Sequence, residues 1–490
     1  MGARGLMRLV AMLCGLWLVS PWTLAQNIQL QPAPQPQPEA KLAALPAPVA
    51  DLVKKYKLAL DDVSIFVQDV AADQPLLLLN PDTPRNPASV MKTITTYVAL
   101  DRLGPTYTWK TEAYVTGPID AKGTLQGDLV LKGYGDPLLV VESFWKFLRA
   151  LRDRGLQHIT GDLVVDTSYF APSSADPGAF DGKAEYPYNV IPNALLLNFQ
   201  SINFKFFPDA DQVKIVPEPN PANLTIQNNL KLVRTSCRQS HISMESGSSD
   251  TGDVVTFNGT YSANCGGFSI DRVATKPESM VYGVFKSLWQ DMGGVIDGGL
   301  KLGDPPKKTL FYTFESRTLA EIIRSINKYS NNVMTRHLLL TLGAERFGPP
   351  ATEQKGAQAV AAWLTENGLS FPELVIDNGA GLSRDGRVAA RSLGQLLLKV
   401  YRSPYMPEFV ASLPITGVDG TLQGRFKGEP LARHGHFKTG TIDNVKAIAG
   451  YLLTKTGHTY VAVVLVNHIN ADKGLGTMVQ NELLRWLFEQ

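Results

Sequence analysis

The sequence predicts an α/β (α+β) fold: one antiparallel sheet assembled from both chain ends, helices flanking it, and a long β-rich insertion between. Three observations predict it. Val63-Ser64-Ile65-Phe66-Val67-Gln68-Asp69-Val70 alternates as a strand does. Three further strand-like runs begin at about Arg433, near the opposite end. Leu103 to about Thr309 is instead crowded with short strands and turns, among them Tyr114-Val115, Leu129-Val130-Leu131, Leu163-Val164-Val165 and Val213-Lys214-Ile215-Val216.

The chain has 490 residues, which suggests about three domains. Residues 1–25 read as a secretory signal peptide. Arg4 and Arg8 form its positive end, Leu9 to Val19 its apolar core, and Thr23-Leu24-Ala25 its cleavage site. The core is short for a membrane anchor, and nothing around Cys14 resembles a lipidation site. Residues 26–48 carry Pro32, Pro34, Pro36, Pro38, Pro46 and Pro48 and read as an extended leader. The formal charge of +2 includes Arg4 and Arg8, and no basic run exists, which excludes nucleic acid as a partner. Removal of the signal leaves Cys237 and Cys265. In an exported protein they suggest one disulfide; two buried free thiols are the alternative.

After the first strand, Pro75 to Asn80 reads as a second. Arg85-Asn86-Pro87-Ala88 is then a breaker-rich loop, and Val90 to Leu100 an apolar helical run. Between them stands Ser89-Val90-Met91-Lys92. A serine hydroxyl needs a partner to take its proton, and a lysine one helical turn on lies on the same face. A helix N-terminus also favours a developing oxyanion. Ser89 as a mere N-cap is the bland alternative. Gly127-Asp128-Leu129-Val130 and Gly161-Asp162-Leu163-Val164 resemble each other, as two similar hairpins would. Leu319 to Tyr329 and Val333 to Leu342 are helical, and Ser330-Asn331-Asn332 forms a tight polar turn between them.

Arg433 to Ile442 reads as a strand carrying Lys438-Thr439-Gly440, with Gly440 allowing a ligand close to the backbone. Ala447 to Leu453 and Thr459 to Val466 are two more strands. Lys455-Thr456-Gly457 repeats the triplet in the hairpin turn between them and faces solvent. Asn481 to Gln490 is a short amphipathic helix that packs on the sheet.

Each motif alone is weak. Ser-x-x-Lys recurs at Ser143-Lys146 and Ser325-Lys328, but both sit inside helical patterns. Ser-x-Asn recurs at Ser201-Asn203, Ser262-Asn264 and Ser325-Asn327. Metal chemistry fits poorly: His434-x-His436 has no third ligand, so neither a metal nor another cofactor is expected. Together, in order, Ser-x-x-Lys, Ser-x-Asn and Lys-Thr-Gly are the set found in penicillin-binding proteins and class A β-lactamases.

The chain resembles the class C low-molecular-mass penicillin-binding proteins, of the D-alanyl-D-alanine carboxypeptidase/endopeptidase type. The resemblance includes Asn86-Pro87-Ala88-Ser89, Gly133-Tyr134-Gly135-Asp136-Pro137, Asp377 to Arg384 and Leu413 to Leu422. The last two runs read equally as turns. The resemblance implies a penicillin-binding-protein/serine β-lactamase-like transpeptidase domain at 49–103 and 310–490. A β-rich region at 104–309, in two domains, is inserted into it. Ser89, Lys92, Ser330, Asn332 and Lys438 are then catalytic, and Thr439, Gly440 and Thr441 bind substrate. The implied substrates are peptidoglycan stem peptides in the periplasm, with β-lactam antibiotics as covalent inhibitors. A β-lactamase, or a wall-binding or β-lactam-sensing protein, is the alternative. The family also uses an acidic residue of the insertion to recognise a free amine on the peptide. Around Tyr186-Pro187-Tyr188-Asn189-Val190 that carboxylate is expected to be replaced by Val190, weakening the discrimination.

Overall fold

The computed structural model describes residues 45–249 and 252–490. The expected signal peptide and most of the leader lie outside the described residues. The unit built from both chain ends contains α1 (Ala47–Tyr56), β1 (Val63–Asp69), β2 (Leu77–Leu79), α2 (Lys92–Leu103), α3 (Leu319–Tyr329), α4 (Asn332–Phe347), α5 (Glu353–Glu366), α6 (Ala390–Tyr401), α7 (Met406–Ser412), β3 (Gly435–Ile442), β4 (Val445–Leu453), β5 (Thr459–Asn467) and α8 (Leu475–Phe488). Helix α1 starts within the last residues of the expected leader, with Pro48 in its first turn, where a fixed φ and a missing N–H cost nothing.

The sheet runs β3-β4-β5-β1-β2, antiparallel throughout. Strand β5 shows why. Val461, Val463 and Leu465 enter one apolar cluster with Ile94, Tyr97, Trp363 and Leu393. Ala462, Val464 and Val466 enter another with Val49, Val53, Leu483 and Leu487. Both faces are covered, so this strand is apolar without alternation. Helix α8 is longer than the expected 481–490 and packs its Val479, Leu483 and Leu487 on the sheet.

The insertion is nested. Strands Lys110–Val115, Leu129–Gly133, Leu163–Asp166, Leu300–Leu302 and Thr309–Glu315 form one sheet, with helices Val141–Asp153 and Pro277–Asp291 packed beside it. Residues 202–272 are a second insertion inside this one, carrying two three-stranded sheets. Thr309–Glu315 pairs with Lys110–Val115, so the insertion's sheet extends past the boundary expected at 309/310. The two Gly-Asp runs are not separate hairpins. Their strands are parallel neighbours, Leu129 opposite Leu163, and Asp128 Oδ1 accepts the Asp162 N–H at 2.7 Å. Cys237 and Cys265 form a disulfide within the second insertion.

Candidate active site

Pro87 leads into a short 3-10 turn, Ala88–Met91, which runs into α2. Ala88 is left-handed, φ +44°, and its N–H donates to Asn86 Oδ1 at 2.8 Å. That conformation is uncommon for a residue with a Cβ and is imposed by neighbours. A Cβ on Gly381 would come within 1.8 Å of Ala88 O, and one on Gly440 within 3.0 Å of Ser89 N. Strand β3 and the 377–384 run therefore press directly on the Ser89 backbone. Ser89 does not cap a helix. Its Oγ accepts from Lys92 Nζ at 3.0 Å.

Lys92 is fully buried. Its Nζ also donates to Asn332 Oδ1 at 2.7 Å and Ala380 O at 2.6 Å. Burial, then the charge of Lys438, holds its pKa well below the ordinary lysine value. Lys438 is equally buried, and burial lowers it to about 7. Its Nζ donates to Ser330 Oγ at 2.9 Å and Thr439 O at 2.8 Å.

The turn between α3 and α4 presents the second motif. A capping box of Thr318 and Glu321 starts α3, and Ser330, left-handed at φ +57°, ends it. Asn331 then caps α4 by accepting the Met334 N–H at 2.9 Å. Asn331 thus holds the turn, while Ser330 and Asn332 face the two lysines. Thr439 Oγ1 shares a hydrogen bond with Thr421 Oγ1 at 2.7 Å, and Thr441 Oγ1 accepts from Lys446 Nζ at 2.9 Å. Ser89, Lys92, Ser330, Asn332, Lys438, Thr439 and Gly440 thus converge. Lys455 lies in the β4–β5 turn, exposed and paired with Glu489 at 2.9 Å. Ser143 and Ser325 are inside helices.

The 377–384 and 413–422 runs, which read in the sequence equally as turns, both reach the site. Ala380 O is a ligand of Lys92, and Thr421 touches Thr439. A backbone carbonyl leaves no residue-type signal, so Ala380 could be found only through its paired glycines. The expectation at Val190 needs correction. Val190 is buried against Leu196 and Val333 and does not face the cleft. The same segment holds a carboxylate elsewhere: Asp181 accepts from Tyr188 Oη at 2.6 Å and Asn189 Nδ2 at 2.8 Å. Tyr188 O in turn receives Asn332 Nδ2 at 3.3 Å, and the Arg384 guanidinium lies 4.5 Å from the Phe180 ring centroid. Asp181 is thereby tied to the site through Tyr188, while its neighbour Phe180 meets Arg384.

Residues 45–489 match the model of the D-Ala-D-Ala carboxypeptidase 3 (S13) family. The chain belongs to this family. This S13 chain is 26% identical over 423 residues to a D-alanyl-D-alanine carboxypeptidase of Actinomadura sp. (strain R39), covering 82% of this chain and 77% of that one. It is 23% identical to D-alanyl-D-alanine carboxypeptidase DacB of Haemophilus influenzae, covering 86% and 88%. Its fold is that of penicillin binding protein 4 (dacB) from H. influenzae, at TM-score 0.76 and 22% identity over 90% of this chain and 99% of that chain. A predatory endopeptidase of Bdellovibrio bacteriovorus, Bd3459, matches at TM-score 0.52 and 16% identity, covering 87% and 92%.

Proposed function

We propose that this S13 peptidase is a serine D-Ala-D-Ala carboxypeptidase/endopeptidase that cleaves peptidoglycan peptides through an acyl-enzyme on Ser89. One observation carries the reading: the buried Lys92 amine, its proton affinity depressed, lies 3.0 Å from Ser89 Oγ. A neutral amine at that distance is a general base.

Ser89 Oγ attacks the carbonyl of the penultimate D-alanine while Lys92 takes its proton. The backbone N–H groups of Ser89 and Thr441 receive the oxyanion. Lys438 and Thr439 hold the terminal carboxylate, and Asn332 the acyl-side amide, displacing its long contact to Tyr188 O. Ser330, hydrogen-bonded to Lys438, passes a proton to the departing amine as the C–N bond breaks. Water then attacks the ester and frees Ser89. A β-lactam acylates Ser89 in the same way but does not leave as easily. The names of the relatives support the substrate class. The H. influenzae protein has been solved with a β-lactam, and Bd3459 is described as a peptidoglycan endopeptidase. The signal-like N-terminus and the disulfide suit the periplasm, and no helix among the described residues is long and apolar enough to cross a membrane.

Peptide mapping after penicillin treatment should find the adduct on Ser89; an adduct on Ser143, Ser325 or Ser330 overturns the assignment. Turnover of a D-Ala-D-Ala peptide should then exceed turnover of penicillin. The reverse order would make the protein a β-lactamase, and no turnover of either a wall-binding or sensing protein.

A further inference from the structure

Arg425 and Lys446 are two cations behind strand β3, and no carboxylate among the described residues forms an ion pair with either. Arg425 follows the turn at Leu422 and lies on α8. Its Nε donates to Asn481 Oδ1 at 2.6 Å, and its Nη2 to Gln480 Oε1 at 3.1 Å and Thr477 O at 3.5 Å. Lys446 stands opposite Thr441 across β3 and β4, and its Nζ donates to Thr441 Oγ1 at 2.9 Å. The neighbouring acids are engaged elsewhere. Glu429 and Glu482 pair with Arg485, and Asp472 accepts the Asn444 N–H at 2.9 Å. Burial, then Arg485, pushes Arg425 down to about 10. Burial, then Arg425, lowers Lys446 against a smaller raising effect of Asp472. Both charges are therefore costly to hold.

Helix α8 adds to this. It begins after Gly474 with no side-chain cap, so its first N–H groups and its dipole favour an anion. Gly476 lies under the Lys446 stem: a Cβ there would meet Lys446 Cβ at 2.5 Å. Gln480 is one turn on, on the same face, and helical side chains lean back toward the N-terminus. Gln480 has no exposed surface, and its Nε2 has no hydrogen-bond partner. The amide cannot simply be turned over. Its Oε1 accepts from Arg425, and an NH2 in that place would face another donor. A buried NH2 without an acceptor is costly, and this one sits beside an arginine near an uncapped helix start.

We infer that this corner of α8 is a binding site for a small inorganic anion of the chloride class, with Gln480 Nε2 as its direct ligand and Arg425 and Lys446 as the flanking charges. Such an ion accepts from the amide, offsets both cations and lies at the positive end of the helix. It also fastens what meets there: α8, the loop carrying Arg425, and β4 through Lys446. Lys446 holds Thr441, so the ion steadies the strand that carries Lys438 and Thr439. The site stands independently of the reaction proposed at Ser89.

The test melts the full chain at constant ionic strength while sodium gluconate is replaced stepwise by sodium chloride. The melting temperature should rise and saturate, by about 2–3 °C, the scale of one ligand at roughly twenty times its Kd. Gln480→Glu places a carboxylate oxygen where the NH2 stood. It should melt in gluconate no lower than the unaltered protein and lose the chloride response. Gln480→Met should lose the response and melt lower. Crystals soaked in bromide should show an anomalous peak within hydrogen-bonding distance of Gln480 Nε2 in the unaltered protein, and none in Gln480→Glu. A melting temperature indifferent to chloride, a response that survives Gln480→Glu, or a bromide peak missing from this corner overturns the site. Should Gln480→Glu fold poorly, the bromide peak in the unaltered protein decides alone.

Discussion

Lys438 has no exposed surface and donates to Ser330 Oγ, whereas Lys455, heading an identical Lys-Thr-Gly triplet, pairs with Glu489 in solvent. Losing a hydrogen bond to a charged group costs about 1.5–3 kcal/mol, so Lys438→Ala should slow penicillin acylation roughly 10- to 150-fold. Lys455→Ala breaks an exposed pair and should change stability by less than ~0.5 kcal/mol with acylation nearly intact. If Lys455→Ala proves the damaging change, the cleft is wrongly drawn. The two buried lysines also fix the sign of the pH dependence. As the proposed base Lys92 would act only when neutral, so acylation should rise with pH through its lowered pKa and level off below the ordinary lysine range. Lys438→Ala removes a cation that favours neutral Lys92, so the rising limb should move to higher pH. A limb that stays put would confine Lys438 to the carboxylate. Asp181 carries a second test. Tyr188 and Asn189 hold its carboxylate beside the site, so Asp181→Asn should cut the preference for a substrate with a free amine over its acetylated form by roughly tenfold. An unchanged preference would remove Asp181 from recognition. The sequence could not place this carboxylate, because the contact between residues 181 and 188 depends on how an irregular loop folds back.

At the level of elements, the motifs were legible and their supports were not. Helix α3 runs Leu319 to Tyr329 as its periodicity predicts, and the polar turn after it follows from two asparagines, one of which caps α4. Ser89 was expected to open a helix. It sits instead in a 3-10 turn behind a left-handed Ala88, a geometry set from 292 residues downstream or more by Gly381 and Gly440. No local signal in Asn86-Pro87-Ala88-Ser89 encodes that pressure. Gly381 makes the dependence testable. Its φ of +75° suits glycine, a Cβ there would meet Ala88 O at 1.8 Å, and its neighbour Ala380 supplies the carbonyl on Lys92. Gly381→Ala should therefore displace the Ser89 turn and slow acylation at least tenfold, with a stability loss of more than ~1 kcal/mol. Acylation kinetics and a melt on the same sample check it. Wild-type acylation in the variant would mean that the loop, not the Ser89 turn, absorbs the clash.

Across the whole molecule, the sheet from both chain ends could be read because β1 alternates and β3 to β5 follow one another with short turns. The insertion was harder. Thr309–Glu315 lies beside α3 in sequence, yet pairs with Lys110–Val115 about 200 residues away, and non-local pairing leaves no local pattern. The nested topology has a mechanical consequence. Residues 202–272 depart from and return to the first insertion, so what ties them internally need not touch the Ser89 site. Cys237–Cys265 closes a loop with a sequence separation of 28 there, next to Ser240, Ser262 and the strand Gly252–Ser262. In the chain-entropy model a loop of this size adds about 3 kcal/mol. Replacing both cysteines by serine should lower the melting temperature, while penicillin acylation of the folded protein keeps its rate within roughly twofold. A large loss of acylation in the folded double variant would show that the second insertion is coupled to the Ser89 site, and the nesting would then transmit strain instead of isolating it.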